Sequence, residues 1–250
     1  MELTILGSGT AIPVPDRFPA GCFVRASGLG ILVDCGPGTL RRLAQAGFAL
    51  DDIDAVLLTH FHTDHCADLG PLLFALHGPA GDGRRPLSIL AAPGLCRFLR
   101  LLAEIWPWTL PKGYELMARE IGEREFRLGP VEILALPIRH TAQSLGYRLR
   151  DGTGTIAFSG DADECEELVD LARGADLFVC DSAFPDGAKV DGHLTPGLAG
   201  RIARRAGART LVLTHFYPEC EGRGARAGAA AEFDGAIVPA EDLMVLRTEV

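Results

Sequence analysis

The stretch His60-Phe61-His62-Thr63-Asp64-His65 constrains this chain more than any other. Three imidazoles and one carboxylate fall directly after Asp54-Ala55-Val56-Leu57-Leu58-Thr59, which reads as a buried strand. The cluster therefore sits where a strand ends, the usual edge for a site in an α/β sheet. Residues two apart in an extended segment point the same way, so His60 and His62 can converge on one cation. A helix starting near Thr63 would turn Asp64 and His65 toward a second cation. Neutral imidazole with carboxylate is a ligand set for zinc or a similar borderline metal.

A histidine-rich surface loop would account for the box taken alone. The other histidines argue against that reading. The chain has seven: His60, His62, His65, His77, His140, His193 and His215. His140 follows the apolar run Val131 to Ile138, and His215 follows Thr210-Leu211-Val212-Leu213-Thr214. Asp161 follows Thr155-Ile156-Ala157-Phe158-Ser159-Gly160. Three more strands thus end in a potential ligand, a pattern with few other physical uses. His77 falls beyond the helix after the box and reads as structural or exposed.

The 250 residues, 48% hydrophobic, suffice for one large core or two fused halves. With 24 Lys and Arg against 33 Asp and Glu, the formal charge is −9. That sign argues against a purely electrostatic grip on nucleic acid over the whole surface. Arg201, Arg204, Arg205 and Arg209 read as a solvated helix face. No apolar run approaches the ~18 residues of a membrane span. The N-terminus enters a strand without a basic leader, which points to no signal peptide and no membrane association. Seven cysteines without a Cys-x-x-Cys spacing suit free thiols in a reducing cytoplasm. Cys66, beside His65, reads as buried packing.

Strand-like runs are expected at 2–6, 21–25, 30–34, 54–59, 87–91, 131–137, 145–149, 154–159, 176–180, 210–214 and 242–247. Helices are expected over Gly38 to Ala46, Asp163 to Arg173, and from the Thr195 cap and Pro196 to about Ala206. The whole span 1–250 reads as one domain of two halves divided near residue 125. The segment 100–120 carries Trp106, Trp108 and Tyr114. It reads either as a helix packed on the core or as a lid beside the site, apolar enough to hold a base or an acyl group. Trp106, Trp108 and Ser144 are the candidate substrate contacts. Gly7-Ser8-Gly9 reads as an ordinary turn.

The His-x-His-x-Asp-His box, followed after later strands by a His, an Asp and a His, resembles the metallo-β-lactamase superfamily over nearly the whole chain. Gly7-Ser8-Gly9-Thr10 and Leu32-Val33-Asp34-Cys35-Gly36 belong to the same resemblance. It implies an α/β fold, an αββα sandwich of two mixed β-sheets flanked by helices, with the site on one edge. It also implies that His60, His62 and His140 hold one metal and that Asp64, His65 and His215 hold another. Asp161 would bridge the two, and Asp34 would orient the histidine loop without touching metal. Within the superfamily, the chain looks similar to the ribonuclease Z-like phosphodiesterases. That likeness rests on Leu6 to Ala11, on His140 to Arg148, and on Gly192-His193-Leu194-Thr195 with the following helix and Thr214-His215-Phe216.

Two departures count against tRNA as the substrate. The family's long basic arm has no room in the twenty residues between His140 and Asp161. Its His-Glu-Ala-Thr stretch is replaced by Asp181-Ser182-Ala183-Phe184. A small-molecule or nucleotide phosphodiester is the expected substrate. Two divalent ions, zinc first with manganese or iron also suited, would share an oxygen and make it nucleophilic at neutral pH. Asp64 would orient that nucleophile, and His193 would serve the leaving oxygen as the second catalytic residue. Thioester, lactone or β-lactam hydrolysis by the same centre is the first rival, and a non-catalytic metal-binding scaffold the second. The resemblance also allows a homodimer.

Overall fold

The computed structural model describes residues 1–122, 124–220 and 224–248. Its strands form two seven-stranded sheets. The first comprises β1 (Glu2–Gly7), β2 (Gly21–Ala26), β3 (Leu29–Val33), β4 (Ala55–Leu57), β5 (Leu87–Ala91) and β6 (Leu116–Glu120). The second comprises β7 (Arg124–Leu128), β8 (Val131–Pro137), β9 (Leu145–Asp151), β10 (Gly154–Phe158), β11 (Leu177–Asp181), β12 (Thr210–Thr214) and β13 (Ala236–Pro239). A last strand, β14 (Val245–Arg247), returns to the first sheet and pairs with β1.

Each sheet opens with antiparallel hairpins and continues in parallel from β3 and from β10. Parallel neighbours need crossovers, and helices supply them. On the first sheet lie α1 (Thr39–Gln45), α2 (Thr63–Cys66), α3 (Leu69–His77) and α4 (Leu95–Ile105). On the second lie α5 (Glu166–Ala172), α6 (Pro196–Ala206) and α7 (Gly224–Ala230).

Strand alternation divides the core into three layers. Ile31 and Val33 face inward to meet Ile133, Tyr147, Ile156 and Val179 of the opposite sheet. Leu32, Val56 and Ile89 face outward against Leu43, Leu69, Leu72 and Leu95 of the first helical layer. Phe178, Leu211 and Leu213 do the same against Leu168, Ala199 and Ile202. This is the expected αββα sandwich, and sheets covered on both faces explain the unbroken apolar runs.

The two sheets are joined just beneath the histidine box. The buried Tyr147 hydroxyl donates to the Leu58 carbonyl at 2.8 Å, and Leu145 N donates to the Thr59 carbonyl at 2.8 Å. Strand β9 thus fixes the height at which β4 releases the chain into the box.

Several expected boundaries shift. β6, β7 and β13 were not anticipated: they lie at sheet edges, and β6 and β7 are largely exposed and charged, so apolar patterning is weak there. The helix expected from Asp163 starts only at Glu166. The Asp163 carboxylate instead accepts from Glu164 N at 2.8 Å and pairs with Lys189 at 3.0 Å, which pulls it out of the first turn. The run 242–247 is a strand only from Val245, because Leu243 has φ 66°. Among the described residues no helix is long and apolar enough to cross a membrane.

Candidate metal centre

β4, β8, β10, β11 and β12 all end on one edge of the sandwich. The residues released there are the His60–His65 box, His140, Asp161, Asp181 and His215. Their donor atoms fall into overlapping groups, each within 4.8 Å: His60, His62, His140 and Asp161; Asp64, His65 and His215; Asp161, His193 and His215. The structure therefore brings together all seven side chains anticipated as ligands, with His193 beside them.

Hydrogen bonds on the far side of the rings decide which nitrogen faces the centre. His65 Nδ1 lies 2.8 Å from Asp34 Oδ2, and His140 Nδ1 lies 2.8 Å from the Gly192 carbonyl. Both acceptors require Nδ1 to carry the proton. The Thr59 hydroxyl gives its single hydrogen to Asp34 at 2.9 Å and so accepts from His60 Nδ1 at 3.0 Å. In the neutral ring each of the three therefore keeps its proton on Nδ1 and turns Nε2 inward, the orientation a metal ligand needs. Burial, reinforced by the neighbouring His65, pushes the His60 imidazole down to about 2.

Asp161 is the charge at the middle. It is 2% exposed, and its ion-pair neighbours among the described residues are imidazoles only. Oδ1 lies 3.1 Å from His65 Nε2 and Oδ2 lies 3.2 Å from His215 Nε2. Neither approach has hydrogen-bond geometry. His60 Nε2, His65 Nε2, both His215 ring nitrogens and Asp161 Oδ1 are buried without a partner. Unpaired buried polar atoms are costly, and so many gathered around Asp161 call for a shared ligand. Two atoms about 2.0–2.1 Å from one tetrahedral ion lie about 3.3 Å apart. The spacings here, including 3.2 Å between His62 Nδ1 and His140 Nε2, fit that requirement.

The charges agree. Burial disfavours ionised Asp161, yet His215 and His65 outweigh it and hold the carboxyl well below its usual range. Burial also opposes charge on His65, but Asp161 and Asp34 raise its imidazole well above normal. The centre demands positive charge, and a proton on His65 or a divalent cation can supply it.

Asp34 ties the box together through His65, Thr59 N at 2.8 Å and the Thr59 hydroxyl. Its φ is 61°, and that of His215 is also 61°. Left-handed backbone at non-glycine residues is strained and gathers at functional sites. Asn tolerates this region, so Asp34→Asn changes the charge with little backbone cost. It is expected to weaken metal affinity roughly 10–100-fold, measured by titration against a competing chelator. Unchanged affinity would reduce Asp34 to a strand end.

His193 sits on the rim, its Nδ1 3.0 Å from Asp181 Oδ2. Burial alone would lower its pKa, but the hydrogen bond and charge of Asp181 raise it. Asp181 is fully buried and also accepts from Ala162 N, Ala183 N and Leu194 N. Sequence reasoning missed this residue. The stretch that begins with it read only as a departure, yet the structure sets its carboxylate against His193. The His193 loop is anchored by Asp163, which holds Lys189 and accepts from Gly192 N. Gly192 has φ 86°, and a Cβ there would lie 3.1 Å from His140 Nδ1. Only glycine brings the carbonyl to that ring without strain.

The remaining candidates are elsewhere or otherwise engaged. Ser144 is 2% exposed, and its hydroxyl is bound by Thr141 at 2.8 Å. Trp106 and Trp108 are about half-exposed at the end of α4, with Trp106 against Gly70 of α3. Cys66 is buried, and His77 Nδ1 donates to the Leu110 carbonyl.

Comparison with known proteins bears on this geometry. The profile of the β-lactamase superfamily domain matches residues 30–216. Ribonuclease Z from Mycobacterium bovis (strain BCG / Pasteur 1173P2) is 33% identical over 274 positions, covering 97% of this chain and 96% of that protein. The match is longer than this chain, so that enzyme carries segments absent here. The metallo-β-lactamase fold protein YhfI from Bacillus subtilis superposes with TM-score 0.84 at 27% identity, covering 98% of this chain and 99% of that one. The short form of human tRNase Z gives 0.83 at 25% identity with full coverage of both. The chain belongs to the β-lactamase superfamily and, within it, to the ribonuclease Z group.

Proposed function

We propose that this chain is a metal-dependent phosphodiesterase acting on a small or nucleotide-type substrate, as one domain over residues 1–250. The observation that carries the reading is the convergence of unpaired imidazole nitrogens and carboxylate oxygens beside the His193–Asp181 pair. His60, His62 and His140 would hold one divalent ion, Asp64, His65 and His215 a second, and Asp161 both. Zinc suits this donor set best, with manganese and iron as alternatives. When bound, such ions lower the pKa of water and neutralise charge on the phosphate.

The protein's own groups do the rest. Asp34, Thr59 and Gly192 fix the tautomers of three imidazoles. Asp64, 3.9 Å from His65 Nε2, orients the nucleophile. His193, steered by Asp181, donates from Nε2 to the leaving oxygen. The segment between His140 and Asp161 is used up by the β9–β10 hairpin, whose strands pair from Asp151–Gly154 to Tyr147–Phe158. An arm for gripping tRNA has no place in that hairpin, which favours a smaller substrate. Seven unpaired thiols favour the cytoplasm.

The test is a panel of bis-p-nitrophenyl phosphate, thioesters and lactones with chelated protein reloaded with zinc, manganese or iron. Phosphodiester turnover should vanish on chelation and return with metal. Turnover of carbonyl esters alone would overturn the proposal.

A further inference from the structure

Phe184 and Tyr217 leave the ends of β11 and β12 on the His193 side of the centre. Tyr217 N donates to the Ala183 carbonyl at 3.2 Å and joins the two loops. The rings stack with centroids 4.5 Å apart and planes 22° from parallel. His193 stands edge-on to both, 5.8 Å from Phe184 and 5.9 Å from Tyr217, and His215 is 5.8 Å from Tyr217.

Unlike the core aromatics Phe23, Phe158, Phe178 and Tyr147, which are at most 3% exposed, these two rings remain partly exposed. Among the described residues no hydrogen bond engages the Tyr217 hydroxyl. Two stacked rings left partly exposed beside a polar centre offer an apolar face to a flat partner. The net charge of −9 strengthens the case. Such a surface gains little from phosphate-backbone attraction, whereas base–aromatic stacking needs no positive charge.

We propose that the Phe184–Tyr217 pair is a stacking platform for a nucleobase of the phosphodiester substrate. The proposal rests on the phosphodiesterase reading and narrows its substrate class to nucleotides. It also moves the base-holding role away from Trp106 and Trp108, which follow the end of α4, with Trp106 against Gly70 of α3. The platform reads any base alike, since every base has a π-face. It acts on the side of the phosphorus that His193 serves.

The experiment measures competitive inhibition of bis-p-nitrophenyl phosphate turnover by adenosine monophosphate and by ribose phosphate, which differ only in the base. The metal-loaded wild type should bind adenosine monophosphate about ten-fold more tightly, the scale of one stacking contact. Phe184→Leu and Tyr217→Leu should each shrink that ratio several-fold. A wild-type ratio near one overturns the platform and leaves the phosphodiesterase reading intact, and it requires no variant to fold. A ratio that survives in both variants, with metal content and thermal midpoint retained, overturns it equally. Absence of any phosphodiester turnover in the wild type removes the reading beneath it, and the platform falls too.

Discussion

Asp161→Asn is expected to empty the centre of metal and to lower phosphodiester turnover by at least about 10³-fold. The substitution keeps the shape of the side chain and removes its charge. Asp161 is the carboxylate common to the His60–His62–His140 group and to His215, and His65 Nε2 is 3.1 Å away. An amide would turn an N–H toward imidazoles whose far nitrogens already hold the proton. Two measurements check the outcome. Elemental analysis should show metal retained by the wild type and lost by the variant. Added metal should also raise the melting temperature of the wild type alone, since a ligand at 100 times its Kd stabilises the fold by about 2.7 kcal/mol. Without metal, the variant should be at least as stable as the wild type, because the buried carboxylate and its need for a charged His65 disappear together. Full metal content with normal turnover in the variant would remove Asp161 from the set of ligands.

Much of this centre is legible along the chain because each ligand follows an apolar run, and the fold turns such runs into strands ending at one edge. The same signal announces Asp181, the last residue of Leu177-Phe178-Val179-Cys180-Asp181. Unlike Asp161, it ends the strand itself rather than following it, and so it reads as part of the run. Its partner His193 is twelve residues on and meets it only through the crossover to α6. The Gly192 carbonyl on His140, 52 residues away, is hidden for the same reason. Backbone groups have no sequence signature, although a glycine before a candidate histidine is a hint.

The sandwich follows from runs buried on both faces, and the Thr195-Pro196 start of α6 was readable because its hydroxyl cap is local: Thr195 Oγ1 accepts from Leu198 N. Three of the four edge strands, β6, β7 and β13, were not readable. In β7, Arg124-Glu125-Phe126-Arg127-Leu128, the charged residues face solvent and form cross-strand pairs such as Arg127 with Glu132. Charged edges discourage sheet-to-sheet aggregation and at the same time erase the hydrophobic signal. Trp106 and Trp108 drew attention as a base-holding lid because tryptophan is scarce here. The partly exposed rings beside the centre are instead Phe184 and Tyr217, each an unremarkable residue one turn beyond a strand.

His193→Ala is expected to lower turnover by about 10²–10⁴-fold while leaving bound metal unchanged. The geometry allows a competing role, since His193 lies within reach of Asp161 and His215 and could itself be a ligand. Metal content separates the two. A ligand would take metal with it, whereas a proton donor would not. The leaving group separates them again. A p-nitrophenolate departs readily without a proton, but an alkoxide does not, so the loss should be much smaller on bis-p-nitrophenyl phosphate than on a dialkyl phosphodiester. Asp181→Asn should reproduce part of the defect, because Asp181 holds His193 Nδ1 at 3.0 Å and so fixes which nitrogen faces the substrate. In the double variant the two losses should not add, as expected for residues that work as one unit. Equal losses on both classes of ester, with additive effects of the two substitutions, would assign His193 to shaping the rim and leave the leaving oxygen to another donor.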